Sequence, residues 1–231
     1  MREVGDDKMG EKKQLIISIG REYGSGGHVI AEELAKRFEI SFYDYHLIGE
    51  IAAGKKVDVK TLERFDELPK IPFFSRTVNG FSNSPQENLA NMQFDYLRKK
   101  AASGESFVIV GRCSEDILKE YKGLISIFVL GDLEEKVKRI MDREHVDRMK
   151  AEESIAHHDR KRKTYHNHFC QGKWGDSRNY DLSINSSKDV YKRQVWFFWQ
   201  PEDPAVMERC RRISFWQKKT ESRCSVIFWI R

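Results

Sequence analysis

At 231 residues the chain can bury the core of one domain or of a small pair of domains. A 39% apolar share beside 33% charged residues suits a soluble globular protein, and no apolar run approaches the roughly 20 residues that a membrane-spanning helix needs. The formal charge of +5 belongs to the end of the chain: from Asp189 onward stand 9 of the 41 Lys/Arg and 5 of the 36 Asp/Glu, leaving a near-neutral 32 against 31 before it, so neither nucleic acid nor membrane is expected as a partner.

Residues 1–14 read as a polar, disordered or tag-like lead-in without a secretory signal. The four cysteines (Cys113, Cys170, Cys210, Cys224) lack paired spacing, which favours a reducing, cytoplasmic setting over a disulfide scaffold. The apolar, β-branched start Ile16-Ile17-Ser18-Ile19 predicts a strand. It runs into a glycine cluster, Gly20-Arg21-Glu22-Tyr23-Gly24-Ser25-Gly26-Gly27-His28, and then into helical spacing at Ile30, Leu34 and Phe38. Glycine lets backbone N–H groups converge, and the helix behind supplies partial positive charge, so Gly20, Gly24, Ser25, Gly26, Gly27 and His28 are predicted to hold phosphate.

This stretch resembles the first loop of the cytidylate kinase-like family, a branch of the P-loop nucleoside monophosphate kinases. Ordinary members of that superfamily read Gly-Ser-Gly-Lys-Ser/Thr. Here Gly27 takes the place of the lysine and His28 that of the magnesium-binding hydroxyl. A glycine pair at this point is the form common in the resembling branch. Losing one such transition-state contact costs about 10²–10³ in rate. Arg21 is the nearest cation that could stand in.

Next comes a short strand, Ile40-Ser41-Phe42-Tyr43-Asp44, whose terminal Asp44 is a candidate acceptor-binding residue. Helical patterns follow over 45–53 and 57–68. Pro69 and Pro72 break them, Asn79-Gly80 and 82–85 read as a surface loop, and 86–102 reads as a long helix. The resemblance implies that this insert, about 45–104, covers the acceptor nucleotide. The run Phe107-Val108-Ile109-Val110 suits a strand buried on both faces, and Gly111-Arg112 then falls at a strand's carboxyl end, where open α/β sheets place ligands. In cytidylate kinases a Gly-Arg here holds the acceptor phosphate, so the resemblance assigns Arg112 that role, with Cys113 where an aspartate is usual. Cys113 itself has no adjacent base and is not read as a nucleophile.

A further strand at 124–130 and a helix at about 133–144 lead to a basic region, with Arg143, Arg148, Arg160 and Arg162 as candidate catalytic cations of a lid over about 144–163. Asp159-x-x-Arg162 resembles the lid-proximal helix of the family, and charge neutralisation is most of what phosphoryl transfer asks of a protein. His166, His168 and Cys170 alternate at a period that does not gather three ligands on one helical face, so no metal site is expected there. Trp174-Gly175-Asp176, Tyr180-Asp181-Leu182 and Asn185-Ser186 continue the resemblance, with a last strand at 180–187. From 188 the pattern stops: Asp189-Val190-Tyr191-Lys192-Arg193-Gln194 is the translation of GATGTGTATAAGAGACAG, a transposase recognition end used in sequencing libraries, and 188–231 is expected to be a non-native or disordered tail.

The expectation is thus a three-layer α/β P-loop fold over 15–187. It has a central parallel sheet of about five strands, helices on both faces, a helical acceptor-binding insert and a basic lid. The implied activity is transfer of the γ-phosphoryl of ATP, with Mg²⁺, to CMP or a related acceptor. The alternatives are a non-catalytic nucleotide-binding module and a small-metabolite kinase.

Overall fold

The computed structural model describes residues 14–44, 77–78, 81–82 and 84–187. The helices expected at 45–53 and 57–68 and the tail from 188 lie outside the described residues. Among the described residues seven strands and five helices follow one another as β1 (Ile16–Arg21), α1 (Gly27–Phe38), β2 (Ser41–Tyr43), β3 (Thr77–Val78), β4 (Phe81–Ser82), α2 (Pro85–Ala102), β5 (Phe107–Val110), α3 (Ser114–Ile117), β6 (Leu124–Leu130), α4 (Leu133–Glu144), α5 (Arg148–Phe169) and β7 (Leu182–Asn185). A 3₁₀ turn, Ser177–Asn179, precedes β7.

Five strands form one parallel sheet in the order β2-β5-β1-β6-β7, and β3 pairs with β4 as a separate antiparallel ladder. Strand β1 lies at the centre, with Ile16 opposite both Phe107 and Leu124, which explains the near-continuous apolar runs of β1, β5 and β6. Alternation assigns the faces. Ile17, Ile19, Val108, Val110, Ile125 and Ile127 pack with Ala31 and Ala35 of α1, while Ile16, Phe107, Ile109 and Leu124 pack with Leu97, Ala101 and Leu118 on the other side. These are the helix–sheet–helix layers of the expected three-layer α/β fold.

Two local rules set the long helices. Ser84 caps α2 by accepting from Glu87 N at 3.4 Å, with Pro85 at the first helical position. The surface loop expected at 82–85 therefore ends one residue earlier, because Pro85 starts the helix instead of breaking it. Asp147 caps α5 by accepting from Lys150 N at 2.9 Å. The region read as a lid at 144–163 divides at His145, which has φ 54°, and continues as one 22-residue helix. Val137, Ile140, Ala151 and Ile155 bind α4 to α5. The last strand is shorter than the expected 180–187. Tyr180 and Asp181 precede it, and the Asp181 carboxylate accepts from both Ser126 N and Ser126 Oγ at 2.8 Å. Among the described residues no helix is long and apolar enough to cross a membrane.

Candidate functional site

At its carboxyl end β1 delivers Arg21 and turns through Glu22, Tyr23, Gly24, Ser25 and Gly26 into α1. Glu22 N donates to Val129 O at 3.0 Å, and Ser25 Oγ donates to Glu22 O at 2.8 Å, so the turn is tied to β6 and closed on itself. Gly26, with φ 77°, is the residue before α1, a left-handed position that glycine adopts without Cβ strain. Apart from a long 3.4 Å bond from Gly27 N to Ser25 Oγ, no side chain caps the first turn of α1. Its amides stand at the positive end of the helix dipole, without another side-chain cap among the described residues.

Gly27 is required by close approach. A Cβ there would lie 2.6 Å from Arg21 Cβ and 3.3 Å from Arg21 Cγ. The space beside Gly27 is filled from the strand side by Arg21. Its guanidinium continues across the floor to Gly111, where an added Cβ would fall on Arg21 Nη1. Gly111, Arg112 and Cys113 all have positive φ (75°, 60° and 54°), an uncommon run for two non-glycine residues. It is held by Gly111 N donating to Ile19 O at 3.0 Å and by Ser114 Oγ donating to Gly111 O at 2.7 Å. This turn buries Arg112, 4% exposed, at the edge of the sheet.

Arg21, Arg112 and Arg162 line one narrow cleft, open at its mouth, with Gly20, Gly111, Trp174 and Tyr180 among its walls. Arg162 reaches it from α5. Its Nε and Nη1 are buried without a hydrogen-bond partner, and its Cζ lies 5.4 Å from the Tyr23 ring. A buried guanidinium with unused donors is costly unless a ligand completes it. The other expected cations lie elsewhere. Arg143 donates to Glu144 Oε1 at 2.7 Å and stands 4.9 Å from the Tyr23 ring. Arg148 is exposed and engaged by Glu134 at 2.7 and 2.9 Å and by Glu152 at 2.8 Å. Arg160 is exposed. His28, where a hydroxyl was expected to be missed, pairs instead with the buried carboxylate of Asp44 at 3.0 Å.

Several residues of the site carried no signal in the sequence. Lys136 of α4 is buried and bonds Glu22 at 3.0 Å and Asp159 at 3.5 Å. Asp159 also accepts from Tyr23 N at 2.6 Å, and Tyr23 stacks on His158 with ring centres 4.1 Å apart, so α5 is clasped to the glycine loop. Burial holds the Asp159 carboxyl above its ordinary range, against the Tyr23 amide and Lys136, which pull it down. On the cleft wall Glu115 Oε1 meets His166 Nε2 at 2.6 Å. The three residues His166, His168 and Cys170 do not gather on one face of α5. His168 is exposed, but His166 and Cys170 stand four apart at the end of α5, and Glu115 arrives from α3. The ligand atoms of Glu115, His166 and Cys170 all lie within 4.8 Å of one another.

Comparison with known proteins supports the architecture. A crystal structure of an uncharacterized protein from Eubacterium ventriosum ATCC 27560 is 35% identical, covers 88% of this chain and 99% of its own, and superposes with a TM-score of 0.61. A shikimate kinase from Bacteroides thetaiotaomicron (11% identity, 88% of this chain and 98% of its own, TM-score 0.46) and a gluconokinase from Sinorhizobium meliloti 1021 (10%, 91% and 96%, TM-score 0.42) are more distant. Among functionally curated proteins none matches. The sequence model of the cytidylate kinase-like family matches residues 16–188, across the glycine loop, the sheet and the clasped helix described above, and the chain therefore belongs to that family of kinase-like phosphotransferases.

Proposed function

We propose that the protein transfers the γ-phosphoryl group of ATP, with Mg²⁺, to CMP or a closely related nucleoside monophosphate. The observation that carries this reading is the convergence of Arg21, Arg112 and Arg162 on one cleft beside an uncapped helix N-terminus, with two buried Arg162 nitrogens unsatisfied. Three guanidiniums in a partly closed cleft suit a group that carries several negative charges and planar oxygen pairs.

The residues fit a bound triphosphate. Amides of Gly26, Gly27 and His28 cradle its phosphates, and Arg21 supplies the charge that a loop lysine supplies elsewhere. Arg112, fixed by its left-handed backbone, holds the acceptor phosphate in line. Arg162 neutralises charge on the transferring group from the lid side. Asp44, anchored to the loop by His28, offers a hard oxygen ligand for magnesium, which otherwise takes phosphate and water oxygens. Bound magnesium draws charge from the phosphates when present. Trp174 and Tyr180 wall the cleft, and the clasp of α5 onto Tyr23 holds Arg162 beside it.

An acceptor panel tests the reading: turnover of ATP with CMP, UMP, AMP, GMP and small polyols, beside ATP affinity on the same sample. CMP-dependent ADP formation is expected. Tight ATP binding without turnover of any acceptor would replace it with the second reading, a non-catalytic nucleotide-binding module. That reading draws on one observation: His28 occupies the hydroxyl's place and is committed to Asp44. Turnover of a polyol alone would make the protein a small-metabolite kinase.

A further inference from the structure

Along one wall of the cleft four potential metal ligands meet from two segments, the start of α3 and the end of α5. Cys113 is the residue before α3, Glu115 lies in its first turn, His166 in the last turn of α5, and Cys170 is the residue that ends α5. All four are buried or nearly so. Cys113 and Cys170 belong to one packed cluster with Ala90, Phe94 and Tyr165. Glu115, His166 and Cys170 present ligand atoms within 4.8 Å of one another, and Glu115 is already bonded to His166 Nε2 at 2.6 Å. We propose that Cys113, Glu115, His166 and Cys170 form a zinc site that pins the end of α5 to the turn carrying Arg112.

The chemistry of the donors selects the metal. Two thiolates and an imidazole are soft-to-borderline ligands that suit zinc over magnesium or calcium, and one carboxylate completes four-coordination. Zn–S bonds of about 2.3 Å and Zn–N or Zn–O bonds of about 2.0–2.2 Å place tetrahedral ligands roughly 3.3–3.8 Å apart. The ligand atoms of Glu115, His166 and Cys170 must therefore contract by about an ångström at their widest, and Cys113, which stands outside that set, must turn its sulfur in from beside Cys170. The short Glu115–His166 bond must open by a similar amount, exchanging one hydrogen bond for two metal bonds. Charge also balances: two thiolates and a carboxylate exceed the ion by one negative charge, and they lie against a cleft lined by Arg112 and Arg162.

The left-handed backbone at Cys113 sets its side chain in the packed cluster that holds Cys170, which gives a strained residue a role.

The experiment uses the full chain, purified under reducing conditions, stripped with a chelator and titrated with zinc alone against a chromophoric competitor. One equivalent per chain is expected. Cys170→Ser and His166→Ala should each weaken it at least 100-fold, while the exposed His168→Ala leaves it unchanged. Cobalt substitution gives a second readout. The sulfur-to-metal absorption band should lose about half its intensity in Cys113→Ser, which reports one of two sulfur ligands whether or not that variant is less stable. Absence of a stoichiometric equivalent in the folded chain overturns the proposal. So does binding that survives loss of His166 and Cys170 together, or a Cys113–Cys170 disulfide in place of bound metal under mild peroxide.

Discussion

Arg21 and Gly27 are a matched pair, and the match can be broken at either partner. Gly27→Ala places a Cβ 2.6 Å from Arg21 Cβ, too close for two carbons, so the loop or the strand end must shift. Overpacking of this kind costs about 1–3 kcal/mol, read as a lower denaturation midpoint. Adding Arg21→Gly should return most of that stability while leaving turnover low, since the cation is gone. If the double variant is no more stable than Gly27→Ala alone, Arg21 is not what excludes a side chain at 27. Arg112→Lys addresses the acceptor. Lysine keeps the charge and loses the planar fork, so the acceptor KM should rise by about tenfold or more with ATP affinity nearly unchanged, the cost of about 1.4 kcal/mol in one bidentate contact. Parallel loss of both affinities would point to misfolding of the left-handed turn.

Helix α5 meets the loop through one buried carboxylate, and the two ways of removing it are predicted to differ. Asp159→Ala strands the Tyr23 amide and should cost about 1–3 kcal/mol, whereas Asp159→Asn keeps an acceptor for it and leaves Lys136 with Glu22. The pH dependence has a definite sign. Burial raises the folded Asp159 carboxyl above its ordinary 3.8, so the folded state favours its protonated form. That contribution is fully present below pH 3.8 and is lost as pH rises through the raised folded value. In Asp159→Asn the denaturation midpoint should lack this decline with rising pH. A wild-type curve that rises through the same window would mean that the Tyr23 amide and Lys136 outweigh burial.

At the scale of the molecule, ligands that bind only the folded state raise its stability by mass action. ATP at 100 times its dissociation constant should add about 2.7 kcal/mol, a rise in Tm of roughly 5–10 °C for a domain of this size. No shift would remove the loop from nucleotide binding. Much of this architecture was legible in sequence because it rests on short-range rules. Apolar runs at 16–19, 107–110 and 124–130 had to be interior strands, and glycines between a strand and a helix had to be a tight turn. Arg112 was legible too, since its place at a strand end follows from the run before it. What remained hidden is what only tertiary packing decides. Lys136 sits in an ordinary charged stretch of α4, and nothing local says that it is buried between Glu22 and Asp159. Glu115 and Cys113 stand more than 50 residues from His166 and Cys170, so the spacing along α5 described half of the cluster. Arg148, one of several similar lid arginines in the sequence, is distinguished from Arg162 only by the position of Glu134.

The continuity of α5 has a mechanical consequence. Twenty-two residues without a break make a rod about 33 Å long, gripped near Cys170 by the sheet side of the molecule and near Asp159 by the loop. Freed of the α4 contacts at Ala151 and Ile155 as well as of the loop, such a rod would act as a lever about its Cys170 end. Released from Tyr23 and turned by about 10° about its Cys170 end, it would move Arg162 by only about 2 Å but swing Met149, already exposed, by nearly 6 Å at its tip. A small angular change thus opens a wide entrance at the tip, while the arginine closest to the pivot stays within reach of whatever lies on the cleft floor.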